Sequence, residues 1–156
     1  MVPSSPHAPN GVLHTLAEFR YSILQFMQFS ESVAVSAGLQ ARQYQLLLQV
    51  AGAPPETLVT VAYAADRLGL KHNSAVELVD RSEREGLLSR EEDQADRRRT
   101  ILRVTRKGRA LLAQLASEHA RELTELAPRL ISTLEHLRLQ AVAEAPALEK
   151  QLTEKP

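Results

Sequence analysis

Apolar side chains recur at helical spacing between Val12 and Val35: Leu13, Leu16, Phe19, Ile23, Phe26, Met27 and Val33, with Leu24 and Phe29 widening the face. The segment carries charge only at Glu18, Arg20 and Glu31. A helix this greasy is buried on two sides, either as a central core helix or as a subunit interface. Upstream, Pro3, Pro6 and Pro9 interleaved with Ser4 and Ser5 leave nothing to bury, so residues 1–10 read as a flexible arm.

The next apolar run, Gln43 to Val50, predicts a second helix stopped by Gly52 and the pair Pro54 and Pro55. Thr57 to Thr60 reads as a short extended piece. Thr60 is then the N-cap of a helix from Val61 to Leu68, with Gly69 at the left-handed position that closes it. A further helix runs from His72 to Glu85 with Ala75, Val76, Leu78 and Val79 inward, and Gly86 ends it. Leu87 to Glu92 and Thr100 to Val104 suit two strands joined by a polar tip, which makes a hairpin. Thr105 caps a long helix bearing Leu111, Leu112, Leu115 and His119. Leu123, Leu126, Leu130, Leu134, Leu137, Leu148 and Leu152 continue its period, and Pro128 and Pro146 each start a segment or kink one. The fold class is mainly α with one small β-hairpin.

Composition sharpens this picture in three places. Aromatics are 4% against 44% hydrophobic residues overall, a balance that favours helices over a β-sandwich. There is no Cys, which excludes disulfides, Cys-bound zinc and thiol redox chemistry. No run reaches the roughly 18 apolar residues of a membrane span, and the start has no basic and apolar leader pattern, so the expectation is a cytoplasmic protein with no membrane partner.

Charge is distributed unevenly although the total is zero. Residues 1–65 hold two basic and three acidic side chains, while Asp66 to Arg109 holds twelve basic and nine acidic. Seven of the nineteen basic residues lie between Arg97 and Arg109, with no acid among them. Zero net charge argues against indiscriminate coating of nucleic acid, whereas a local excess on a hairpin suits a targeted contact.

Catalytic constellations are missing. The five His show no metal spacing, and neither a glycine-rich phosphate loop nor a Gly-x-Ser-x-Gly elbow is present, so neither an enzyme nor a metal or cofactor site is expected. Glu91, Glu92 and Asp93 are adjacent on a turn and cannot converge on one centre. They are expected to be solvated or to pair with nearby arginines.

Helix, tight turn, helix and basic-tipped hairpin is the order of a winged helix-turn-helix. The run LGLKHNSAVELVDRSEREGLLSREEDQADRRRTILRVTRKG resembles the MarR family of bacterial transcriptional regulators. It carries LGL (Leu68 to Leu70), LVDR (Leu78 to Arg81), EREGLL (Glu83 to Leu88), DRR (Asp96 to Arg98) and T-x-K-G (Thr105 to Gly108), in order and without a gap. The close resemblance covers about Thr60 to Leu112, and the flanking helices match in length and character.

The resemblance implies one MarR-like domain over 11–156, with helices 11–37 and 106–156 pairing two copies and a winged lobe at 43–105. It implies a homodimeric repressor on a palindromic operator in double-stranded DNA. The helix after LGL would enter the major groove, placing Lys71, His72, Asn73, Ser74, Glu77 and Arg81 near bases or phosphates. Asp96 would brace Arg98 in the minor groove, with Arg97 and Arg99 beside it. A small-molecule effector pocket would draw on His14, Tyr21, Phe26 and Tyr44, residues that core packing also explains.

Four positions depart from the family pattern. Lys71 stands where a Ser or Thr cap is common, so Asn73 or Ser74 supplies the cap or the helix start is frayed. Val76 and Glu77 replace a small polar residue and Arg. Ser82 replaces a core Leu, which predicts a looser or repacked interior there. The competing class is a winged-helix protein-interaction module that uses its basic face for an acidic protein and does not read DNA.

Overall fold

The computed structural model describes residues 10–153, and the side chains of 11–140. Seven elements follow in order: α1 (Asn10–Ser36), α2 (Ala41–Ala51), α3 (Val61–Leu68), α4 (His72–Arg84), β1 (Leu88–Glu92), β2 (Thr100–Val104) and α5 (Arg106–Thr153). Residues 1–9 of the expected arm, and the side chains of Pro146, Leu148 and Leu152, lie outside the described residues. Among the described residues no helix is long and apolar enough to cross a membrane.

Contacts sort the chain into two units. One joins α1 up to Phe29 with α5 from Arg121 onward; the other runs from Ser30 to Ala120. In the first unit Ser22 and Leu126 are buried, while Leu13, Tyr21 and Leu24 on α1 and Ile131, Leu134 and Leu139 on α5 are exposed. The second unit holds most of the buried side chains, with Leu46, Leu47, Val79, Leu87, Leu88, Leu102 and Leu115 at its centre.

The hairpin pairs antiparallel with Leu88 opposite Val104, Arg90 opposite Leu102 and Glu92 opposite Thr100. The register puts Leu88, Leu102 and Val104 on one buried face, as a two-residue period requires. Thr57 to Thr60 does not form a third strand. A single backbone bond stands in for it, from Leu102 N–H to Val59 O at 2.7 Å.

One local expectation differs from the structure. Helix α5 runs unbroken through Pro128, so that proline does not start a segment. Proline lacks one donor, and a 48-residue helix has enough remaining bonds to continue past it. At Ser82 the side chain is fully buried and donates its hydroxyl to Leu78 O at 2.8 Å, one turn back on its own helix. The polar group is satisfied locally where a leucine would have filled volume.

Candidate nucleic-acid interface

Helix α3 begins because Thr60 is extended and its Oγ1 accepts the N–H of Tyr63 at 3.2 Å. It ends because Gly69 adopts φ 61, which lets Leu70 N–H turn back to Ala65 O at 2.9 Å. Three residues then suffice to reach α4. Ala75, Leu78, Val79 and Ser82 form the buried stripe of α4, leaving Lys71, His72, Asn73, Ser74, Glu77 and Arg81 exposed. The cap anticipated from Asn73 or Ser74 is not made. Lys71 holds the cap position with no side-chain bond, and both other residues lie inside the first turn. The leading N–H groups therefore lack a side-chain acceptor, the condition in which a helix start accepts an anion.

The second half of α4 is held by a polar network. Arg90, on the inward face of β1, donates through Nη2 to Asp80 Oδ1 at 2.6 Å and through Nη1 to Glu83 Oε2. The Arg90 N–H also reaches Glu83 Oε1 at 3.1 Å. Partial burial disfavours the Arg90 charge, but hydrogen bonds and Coulomb attraction from Asp80 and Glu83 outweigh it and raise its pKa above the ordinary guanidinium value. Arg81, expected at the DNA, points its Nη1 to Gln40 Oε1 at 2.6 Å. Buried Gln43 accepts the Gln40 N–H at 3.1 Å and donates to Glu85 at 2.8 Å. Lys107 donates to Glu85 O at 2.8 Å. These ties fix α4 to α2, to the hairpin and to the start of α5.

The hairpin tip is built by two aspartates. Asp93 N–H bonds Arg99 O at 3.0 Å and Asp93 Oδ1 accepts Ala95 N–H at 3.0 Å. Asp93 is only 8% exposed, so it is a turn scaffold and not a solvated acid. Asp96 Oδ1 accepts the backbone N–H of Arg98 at 3.1 Å, while its Oδ2 lies 3.4 Å from Arg99 Nε. The carboxylate thus braces Arg98 through the main chain, and the guanidinium beside it belongs to Arg99. Arg97, Arg98 and Arg99 are all exposed, and among the described residues the guanidinium groups of Arg97 and Arg98 have no partner. Glu91 pairs loosely with Arg103 at 3.6 Å.

Helix α5 starts directly after β2. Thr105 Oγ1 accepts Gly108 N–H at 3.1 Å, the anticipated cap, and donates to Gly86 O at 2.6 Å. Of the residues proposed for an effector, His14 and Tyr21 are exposed and Phe26 half-buried on α1. Tyr44 is buried on α2, its ring stacked on His119 at 4.9 Å, and burial raises its phenol pKa. His119 Nδ1 lies 2.7 Å from Leu115 O, and Nε2 lies 2.8 Å from Ser30 Oγ. The carbonyl only accepts, so Nδ1 carries hydrogen. Among the described residues no group of His, Asp or Glu is placed to hold a metal ion.

Sequence and structure comparisons place this arrangement among known folds. Residues 37–99 match the sequence model of the MarR family. A protein from Thauera aromatica named for transcriptional regulation of the hcr operon is 29% identical over 111 residues, which span 71% of this chain and 65% of that relative. A MarR family protein from Bacillus stearothermophilus superposes with TM-score 0.68 at 19% identity, covering 96% of this chain and all of that one. A MepR variant from S. aureus bound to an oligodeoxyribonucleotide gives TM-score 0.57 at 21% identity over 86% and 94% of the two chains. CouR from Rhodococcus jostii RHA1 bound to p-coumaroyl-CoA gives 0.60 at 24% identity over 76% and 84%. The helix and hairpin order, the motifs from LGL to T-x-K-G and the match over residues 37–99 make this segment similar to the MarR family, and the solved structures share the fold of the chain.

Proposed function

We propose that this regulator is a homodimeric repressor that grips a roughly palindromic operator and is released by a small-molecule effector. One observation carries the DNA reading: a single unit presents both a helix start without a side-chain cap and a hairpin tip whose Arg97 and Arg98 guanidinium groups have no partner among the described residues. A helix fits the major groove, and an Arg-bearing tip enters the narrower minor groove alongside. Lys71, His72, Asn73, Ser74 and Glu77 serve as base and phosphate contacts, with Arg97 and Arg98 at the wing. Arg99 supports the tip from its pairing with Asp96, and Arg81 holds α4 against Gln40. The reaction class is binding, not catalysis, and the place of action is the cytoplasm.

Pairing rests on the exposed apolar side chains of α1 and α5. Leu24 is 52% exposed and stands among Tyr21, Ile23 and Met27, also exposed. Apolar surface of this kind marks an association face. Pairing segments at 11–37 and 106–156 would flank a reading lobe at 43–105. Two lobes spaced about one helical turn, roughly 34 Å, read a longer site than one lobe. Leu24→Glu is expected to raise the dimer dissociation constant at least about tenfold, or 1.4 kcal/mol. Sedimentation equilibrium over a dilution series checks this, and a wild-type monomer at every concentration overturns the pairing. The effector role draws support from the neighbour crystallised with p-coumaroyl-CoA, with His14, Tyr21 and Phe26 of α1 as the candidate contacts.

Arg98→Ala tests the wing. Operator affinity is expected to fall roughly tenfold while the melting temperature holds. If the dimer neutralises about 6 to 10 phosphates, log affinity also falls steeply with log salt, and a shallow slope removes the phosphate role. A protein-interaction module is the second reading, favoured by Glu77, an acid on the face that phosphates would approach. Duplex DNA and an acidic peptide titrated side by side separate the two.

A further inference from the structure

Glu77 sits where a polyanion-binding helix least tolerates a carboxylate. At about 100° per residue, the stripe Ala75, Leu78, Val79 and Ser82 fixes the inward direction of α4, and Asn73, Glu77 and Arg84 point directly away from it. The other acids of α4 are neutralised, since Asp80 and Glu83 share Arg90. Glu77 is not. Its natural partner one turn on is Arg81, and that guanidinium is drawn to Gln40 instead. Among the described residues the Glu77 carboxylate has no partner, and it is exposed.

An ionised carboxylate only accepts hydrogen bonds. On the major-groove edges, guanine offers the acceptors N7 and O6, thymine the acceptor O4 and a methyl group, and adenine a donor beside the acceptor N7. Cytosine offers the N4 amino donor with no acceptor of its own next to it. Resting on the DNA reading proposed above, we infer that Glu77 is a specificity-determining residue that reads one cytosine per half-site through N4 and excludes guanine and thymine there. The same charge repels phosphate, so it weakens binding to every duplex that lacks this donor. Glu77 therefore trades general affinity for selectivity. The formally neutral chain and its basic wing fit that arrangement, because attraction supplied at the tip is offset at the reading face unless the base is right.

The test is selection of duplexes from a random-sequence library by the intact protein and by Glu77→Gln, followed by titration of the selected duplex. Wild type is expected to enrich a cytosine column in each half-site. Glu77→Gln should lose that column alone and gain adenine, since an amide pairs bidentately with N6 and N7. Exchanging the cytosine for thymine should weaken wild type about tenfold or more and the variant by less than about twofold. The variant should also bind a non-selected duplex more tightly than wild type does. Glu77→Ala is the second variant: it should lose the cytosine column without gaining adenine. Identical columns for wild type and both variants overturn the role of Glu77 while leaving DNA binding intact. No enriched duplex for wild type overturns the DNA reading itself.

Discussion

Gly108→Ala is expected to unfold several degrees below the parent protein, although alanine is the better helix former by about 1 kcal/mol. A Cβ at this first-turn position of α5 would lie 2.4 Å from Leu87 O and 2.7 Å from Val104 Cγ1. Neither neighbour is free to yield. The Leu87 carbonyl already accepts the Thr105 N–H at 3.1 Å, and Leu87 and Val104 are buried. Overpacking against a fixed backbone costs up to about 3 kcal/mol, which outweighs the propensity gain. A net loss of about 2 kcal/mol lowers the melting temperature by roughly 4 to 8 °C in a chain of this size. Thermal melts of Gly108→Ala and Thr105→Val separate close approach from capping. The threonine variant loses a cap, about 1 kcal/mol, and should melt between the other two. A Gly108→Ala melt at or above wild type would show that α5 docks elsewhere.

Much of this frame was readable from local chemistry. Thr60, Gly69 and Thr105 act within four residues of themselves, so their caps and turns follow from residue type and spacing. The hairpin register also follows, because one slip would turn Leu88, Leu102 and Val104 to solvent. The polar network did not follow. Gln43 meets Glu85 across 42 positions and Arg81 meets Gln40 across 41, distances over which no periodicity operates. Asp93 reads as one of three acids that are solvated or paired with nearby arginines, yet its carboxylate accepts the Ala95 N–H within the turn. At the site, the outward face of α4 was legible from its apolar stripe. The pairing of Asp96 with Arg99 was not, since the Asp-x-Arg motif fixes spacing and the turn decides which guanidinium comes near. One signal was available and passed over: Arg90 falls at an inward position of β1, opposite Leu102, where an apolar residue belongs.

That inward arginine sets the second large expectation. Arg90→Leu fits the apolar face better than arginine does, yet it should lower both stability and operator affinity. The side chain is 27% exposed and bridges Asp80 and Glu83, two acids on α4, the helix proposed to meet DNA. Removing it leaves two like charges three residues apart against an apolar surface. Hydrogen bonds to charged groups are worth about 1.5 to 3 kcal/mol, and solvent at the half-exposed acids reduces what is lost. About 2 kcal/mol is the expected cost, and it should shrink in 1 M salt, where repulsion between the acids is screened. Arg90→Lys keeps the charge but cannot fork to both carboxylates, so it should recover part of the stability only. The effect on DNA should be larger than on folding. Arg90 ties β1 to α4, and on the DNA reading proposed above the helix and the wing bind together only if their spacing is fixed before they meet the duplex. A folded Arg90→Leu dimer should therefore bind a selected duplex more than tenfold weaker than wild type, with hydroxyl-radical protection lost in the minor groove before the major-groove contacts. Wild-type affinity in that folded variant would mean that the wing keeps its place without the arginine, through Thr105 and the Leu88, Leu102 and Val104 face alone.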